Sequence, residues 1–318
     1  MAKHKFTSVK LRNVRGQSRT FIQFVHSWCR STSVQFKLDG QMDARVLIVK
    51  NERYRRETKL PEGHTIHRAA QDHHKKLSGQ TLQVSSPQGR FSEGSEILSG
   101  KVCHSVEALG KHLLYRFESR DVLHVHLGLF GRIRSGRLPL KEPIGAVRVR
   151  LVGDTHCIDI NGPAICEVMG PVETKVLFNR IGPDILRSDA EPIRAFARTA
   201  KSKLPIGQLL MDQSVIAGIG NIFRSEILWR QGVHPKTPGN AIDETTFNKI
   251  WEDARDLLAL AVKHNSIITV QGGKPSSGRY RERVNVYKKT LCPKCGGGIQ
   301  CHNIAGRKAY ACEKCQPL

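Results

Sequence analysis

Two cysteine pairs near the C-terminus constrain the fold of this chain more than any other feature. Cys292-Pro293-Lys294-Cys295 and Cys312-Glu313-Lys314-Cys315 stand sixteen residues apart. Each pair offers two thiolates to one metal from a tight turn, and the segment between them has the length of a hairpin. A segment this small buries no core of its own, so a metal must supply its folding energy, roughly 10–16 kcal/mol for a structural zinc. Four thiolates fill the coordination sphere. The expectation is therefore one structural Zn²⁺ on Cys292, Cys295, Cys312 and Cys315, with Cys301 and His302 as bystanders. Cys29, Cys103, Cys157, Cys166 and Cys301 are scattered and odd in number, which suits a reducing compartment better than a disulfide framework.

The charge balance points to the partner. The 318 residues carry 51 Lys+Arg against 28 Asp+Glu, a net charge of +23. A surplus of that size signals a polyanion, nucleic acid first and an anionic membrane surface second. No apolar run approaches the length of a membrane span, and there is no secretory apolar region. The length allows two modest domains.

Basic residues dominate the first sixty positions, and no acid precedes Asp39. Three explanations fit: upstream sequence included by a wrong start, a basic arm, or a transit peptide. Short strands or helices are expected only at 21–25 and 46–49, with most of the segment disordered. At Pro61 the character changes. Proline suits the first turn of a helix, Glu62 then lies at its positive end, and Ile66, Ala69, Ala70, His73 and Leu77 form one face, which Gly79 ends. A second reading makes Pro61 an amino terminus, whose secondary amine is a nucleophile. An α-amino group titrates near ~8 and a lysine near ~10.4, so at neutral pH the former exceeds the latter in free base by about two orders of magnitude. Within an intact chain the same nitrogen is an unreactive amide.

Short strand-like segments follow at 81–85, 101–109, 112–118, 122–127, 131–134, 147–152 and 155–160, punctuated by glycines. Helices do not alternate with them, which predicts a β-sandwich or barrel rather than a parallel sheet. From 194 onward the period is helical. One helix is expected to end near 212–213, another to open at Ile219-Gly220-Asn221, and a long amphipathic one to span 245–264. Gly218-Ile219-Gly220-Asn221 lets backbone approach a partner closely at a helix N-terminus, a geometry that suits an anion or an ordinary helix–helix turn. Lys111 opens a strand and Arg307 lies in the hairpin between the cysteine pairs; both are either solvated or phosphate contacts. Leu129 and Phe130, flanked by glycines, are either core-facing or a wedge for a gap left by an extruded base.

Taken together and in order, Pro-Glu-Gly-His-Thr at 61–65, Gly-Lys-His-Leu-Leu at 110–114, His-Leu-Gly-Leu-Phe-Gly at 126–131, Leu-Leu-Met-Asp-Gln-Ser-Val-Ile-Ala-Gly-Ile-Gly-Asn at 209–221 and the four-cysteine tail resemble the formamidopyrimidine-DNA glycosylase/endonuclease VIII family, most closely its bacterial endonuclease VIII branch. The resemblance covers 61–318. It implies an α+β fold: an N-terminal β-sandwich with flanking helices (61–183), a helix–two-turn–helix module (184–283) and a zinc-finger hairpin (284–318), with 1–60 as an extension. It implies a monomeric, cytoplasmic base-excision-repair enzyme, without an obligate protein partner, acting on damaged double-stranded DNA. The terminal amine of Pro61 would attack C1′ and displace the base, and elimination would cut the strand. By the same resemblance Glu62 moves protons at the sugar and Lys111 binds phosphate beside it. Asn221, next to Gly220, and Arg307 grip phosphates, and Leu129 and Phe130 intercalate.

Three departures qualify that picture. Many relatives carry a second acid where this chain has Thr65, which leaves Glu62 as the only carboxylate there. The connector at 265–290 lacks a glycine-rich opening, which favours oxidised pyrimidines as substrates. Leu60 precedes Pro61 where the resemblance calls for an initiator Met. The expectation is a start at position 60, read as Met and removed, with transit-peptide processing as the alternative. A binder of damaged DNA with a blocked amine, and a zinc-ribbon RNA-binding protein, are the competing functions.

Overall fold

The computed structural model describes residues 7–12, 18–23, 61–139, 141–272 and 280–318. Contacts divide the chain into two units, 1–54 and 55–318. In the first, β1 (Thr7–Arg12) and β2 (Ser18–Gln23) pair antiparallel, from Thr7 opposite Gln23 to Arg12 opposite Ser18. The strand expected from position 21 thus begins at 18, whereas the segment at 46–49 and the expected disorder of the remaining positions fall outside the described residues. So do residues 273–279 of the connector at 265–290.

The second unit opens with α1 (Gly63–Leu77), which buries Ile66, Ala70, His73 and Leu77, the stripe the helical period calls for. Eight strands follow in an antiparallel sheet that folds over on itself. They are β3 (Gln80–Ser85), β4 (Lys101–Leu109), β5 (His112–Phe117), β6 (Val122–His126), β7 (Arg132–Arg137), β8 (Val147–Val152), β9 (His156–Asn161) and β10 (Ile165–Met169), in the spatial order β10-β6-β5-β4-β3-β8-β9-β7. The fold-over happens within β3. Its first half, Gln80 to Leu82, pairs with β4, and its second half, Gln83 to Ser85, pairs with β8. One strand thereby belongs to both layers of a sandwich. Leu82, Val84, Leu113, Tyr115, Leu123, Val125, Val149, Leu151, Ile158 and Ile160 fill the space between the layers together with Ile66 and Leu77 of α1.

Among the described strands and α-helices, four were not foreseen from the sequence: β1, α2 (Ser92–Leu98), β10, and α3 (Pro171–Arg180), which starts on a proline in its first turn. Beyond α3 the chain turns helical: α4 (Pro192–Ala200), the single turn α5 (Ile206–Leu209), α6 (Asn221–Arg230) and α7 (Glu244–His264). α7 is capped as its ends require. Asp243 Oδ1 accepts from Thr246 N at 2.7 Å, and Asn265 takes the left-handed conformation at φ 49°. A second core, built on Ile216, Ile219, Phe223, Ile227, Phe247, Ile250, Trp251 and Leu258, holds these helices together. α1 lies between the two halves, against β4 on one side and α7 on the other. At the C-terminus β11 (Gln300–Ile304) and β12 (Arg307–Ala311) form the expected hairpin. Its two-residue turn, Ala305 at φ 49° and Gly306 at φ 74°, has the positive dihedrals of a type I′ turn.

Candidate active site

The site begins where three glycine-containing loops meet. Gly63 N donates to Gly218 O at 2.8 Å, and a Cβ on Gly63 would lie 2.6 Å from Gly218 Cα. Gly218 itself sits at φ +100°, a conformation that only glycine adopts without strain. Gly110, at φ +60°, comes against Ala217 from the β4–β5 turn. The start of α1, the turn that carries Lys111 and the loop before α6 therefore touch at backbone level.

Asp184 ties the three together. Its buried carboxylate accepts from Gly110 N at 2.7 Å and from Leu186 N at 3.0 Å, and pairs with His67 Nε2 at 2.8 Å. Gln213 braces the same loop from inside: its Oε1 accepts from Gly218 N at 3.0 Å and its Nε2 donates to Ile219 O at 3.1 Å. Sequence reasoning singled out neither residue.

Glu62 occupies the centre. It is the N-cap of α1, so the helix begins at Gly63 and Pro61 precedes it rather than lying in its first turn as expected; the Glu62 side chain crosses to the head of α6, where Oε1 accepts from Ile222 N at 2.9 Å. Gly220 makes room for it, since a Cβ there would lie 2.2 Å from Glu62 Cδ. Only 2% of Glu62 is exposed, and Oε2 has no hydrogen-bond partner among the described residues. Burial raises its pKa, against the opposing effects of the Lys111 charge and the N–H groups of Ile222, Phe223 and Gly220. A carboxyl group held this way has one oxygen fixed by a helix N-terminus and the other free to take or give a proton.

Cations surround that carboxyl group. Lys111 is half-buried, and desolvation brings its ammonium down to about 8, with Glu62 opposing the shift and Arg307 adding to it. Arg224, which sequence reasoning missed, is fully buried one helical turn after Asn221. It donates to Gly207 O at 3.1 Å and to Asn221 Oδ1, and its pKa falls to about 10 through burial and the nearby Arg307 charge. An arginine in the apolar run Ile222, Phe223, Ile227 was the available signal. Asn221 Nδ2 donates to Lys308 O at 3.1 Å, which attaches the zinc-type hairpin to α6 beside the exposed Arg307. The structure thus brings Glu62, Lys111, Gly220, Asn221 and Arg307 together, with Pro61 immediately ahead of Glu62. Leu129 and Phe130 stand on the β6–β7 loop, 53% and 79% exposed, so the core-facing alternative does not hold.

The hairpin rests on four cysteines. Cys292 and Cys315 sulfurs lie 3.8 Å apart and Cys295 and Cys312 sulfurs 3.5 Å apart. A tetrahedral zinc with bonds of about 2.3 Å places its sulfurs about 3.8 Å apart, so the residues fit the ion. Burial works against ionising Cys292, but N–H groups of Cys295 and Lys294 and the Trp229 indole outweigh it and bring the thiol to about 6. Glu226 secures the approach to the hairpin: fully buried in α6, it accepts from Asn285 N, Val286 N and Tyr287 N at 2.7, 2.8 and 2.7 Å.

A sandwich and a helical module sharing one buried acid have counterparts among known proteins. Residues 60–162 match the formamidopyrimidine-DNA glycosylase N-terminal domain, and residues 181–271 match the formamidopyrimidine-DNA glycosylase H2TH domain. Endonuclease 8 1 of Mycobacterium tuberculosis is 42% identical over 267 residues, covering 81% of this chain and 100% of its own. The chain belongs to the formamidopyrimidine-DNA glycosylase/endonuclease VIII family of DNA glycosylases. More distant relatives include the formamidopyrimidine-DNA glycosylase of Psychromonas ingrahamii, 28% identical over 271 residues, with 81% of this chain and 98% of its own covered. The fold is that of the Lactococcus lactis formamidopyrimidine-DNA glycosylase solved on DNA containing an AP site. The TM-score is 0.68 at 23% identity, with 81% of this chain and 100% of that chain covered.

Proposed function

We propose that this chain removes oxidised bases, pyrimidines before purines, from double-stranded DNA and then cuts the strand at the abasic site, with Pro61 as the amine nucleophile. The observation that carries the reading is the position of Glu62, buried at the head of α6 with one oxygen unpartnered and Lys111 nearby. In the reaction the Pro61 nitrogen forms a bond to C1′ as the bond from C1′ to the base breaks, and the base leaves with a proton. Loss of a proton from the nitrogen side and opening of the sugar give an iminium. Elimination then takes a proton from C2′ and breaks the C3′–O bond with departure of the 3′ phosphate, and water hydrolyses the iminium to release the amine. Glu62 is the group placed to hand protons to and from the sugar. Lys111, Asn221 and Arg307 supply donors for the flanking phosphates. Leu129 and Phe130 fill the space vacated by the base. One structural Zn²⁺ on the four cysteines holds the hairpin. Residues 61–183, 184–283 and 284–318 act as sandwich, helical module and zinc finger.

The chemistry requires Pro61 to be an amino terminus, because within an intact chain its nitrogen is an amide. Borohydride trapping on abasic-site DNA tests the proposal. Protein beginning at Pro61 should give a covalent adduct, and the 318-residue form, with Leu60 on the nitrogen, little or none. Equal trapping by both forms refutes it. The second reading, a non-catalytic binder of damaged DNA, follows from the amide at Pro61 in the 318-residue form, and predicts tight, salt-sensitive binding without cleavage by that form.

A further inference from the structure

A cluster outside both the active site and the four cysteines has the composition of a metal centre. His234 lies in the turn after α6, His302 in β11, and Glu313 between Cys312 and Cys315. Their ligand atoms all fall within 4.8 Å of one another. Glu313 Oε1 is 2.9 Å from His302 Nε2 and 3.4 Å from His234 Nε2, and the two imidazoles meet edge to face at 5.1 Å between centroids. The His302 Nε2 atom is buried, yet despite its closeness to Glu313 it is not aligned for a hydrogen bond with any described group. A buried imidazole nitrogen facing a second imidazole and a carboxylate is poised for a ligand that attracts all three.

We propose that His234, His302 and Glu313 form a second metal site, separate from the four cysteines, that takes a divalent ion of the zinc class. Two imidazoles and a carboxylate are a common donor set for zinc and leave a fourth position for water. Ligand atoms about 2.0–2.1 Å from a tetrahedral ion stand about 3.4 Å apart. The carboxylate is already near that spacing from both nitrogens, and the imidazole nitrogens lie within 4.8 Å of each other. The side chain of Glu313, half-exposed, has room to follow them.

One feature of the metal-free site sets its affinity. Lys236 N donates to His234 Nδ1 at 3.2 Å, so the neutral ring carries its proton on Nε2 and directs it at Glu313. Binding through Nε2 moves that proton to Nδ1 of the same ring and forfeits the bond from Lys236. The site therefore binds more weakly than four thiolates do. Occupied, it would fasten β11 and the second cysteine turn to the end of α6, where Gln316 Nε2 already donates to Val233 O at 2.7 Å.

Counting metal tests the proposal independently of any DNA chemistry. The full chain, stripped of metal and equilibrated with Zn²⁺, should bind two equivalents, the second at least about tenfold more weakly. His302→Ala and Glu313→Gln should each bind one, and retention of that first equivalent shows that the hairpin is intact. With Co²⁺ the second equivalent should add weak d–d absorption without thiolate charge transfer, and that increment should vanish in both variants. Saturation of the unsubstituted chain at one equivalent overturns the proposal, as does a second equivalent that both variants retain.

Discussion

Glu62 is a carboxyl group kept where ionisation is unfavourable. Burial raises its pKa above that of an unfolded chain, so the folded state binds the proton more tightly than the unfolded state does. Stability on its account is greatest at low pH and declines as pH rises through the unfolded carboxylate value toward the folded one. The ionised form is therefore a burden on the fold. Glu62→Gln keeps the shape and removes the charge. Base release should fall by about 10²–10⁴-fold, the usual span for a lost acid–base group, while the melting temperature at pH 7 rises above that of the parent. A variant that loses both activity and melting temperature would show that Glu62 is there for packing. The importance of Glu62 was legible from its place beside Pro61. Its attachment to α6 was not, because periodicity says nothing of a partner 160 residues away.

At the scale of elements, legibility followed regularity. The strands from β3 to β6, β8 and β9 alternate clearly or run continuously apolar between glycines, and α7 shows a full stripe; all were foreseen to within a few residues. β10 is mostly half-exposed and does not alternate, and α3 buries only Thr174 and Leu177, so neither gives a periodic signal. The loops of the site were readable as glycines but not as contacts, since nothing local reveals that Asp184 bonds across to Gly110. Gly220 is where an element boundary and the chemistry meet. Gly220→Ala drives a methyl group into Glu62 at the entry to α6. Overpacking of that kind costs about 1–3 kcal/mol, visible in denaturant unfolding, and the displaced carboxyl group should lower trapping on abasic DNA at least tenfold. Unchanged trapping would mean that the contact relaxes without moving Glu62.

For the whole molecule, the net charge of +23 makes salt the main external control on binding. DNA affinity should fall steeply as salt rises, because each neutralised phosphate releases condensed counterions. Arg307, exposed at the tip of the hairpin, is expected to account for one such contact. Arg307→Ala should weaken binding to all sequences alike and reduce the slope of log K against log salt by about one. An unaltered slope would remove Arg307 from the phosphate contacts.

The bond from Ile222 N to Glu62 joins positions 160 residues apart, and Gly63 and Gly218 touch over a similar span. Such contacts are late events in folding, because a long loop must close before they form. During synthesis the sandwich residues leave the ribosome first, and for that whole interval the carboxyl group at position 62 lacks the helix that orients it. The working site therefore comes into being only after the DNA-gripping module has been made. A chain interrupted partway would carry Glu62 without the helix N-terminus that holds its carboxyl group.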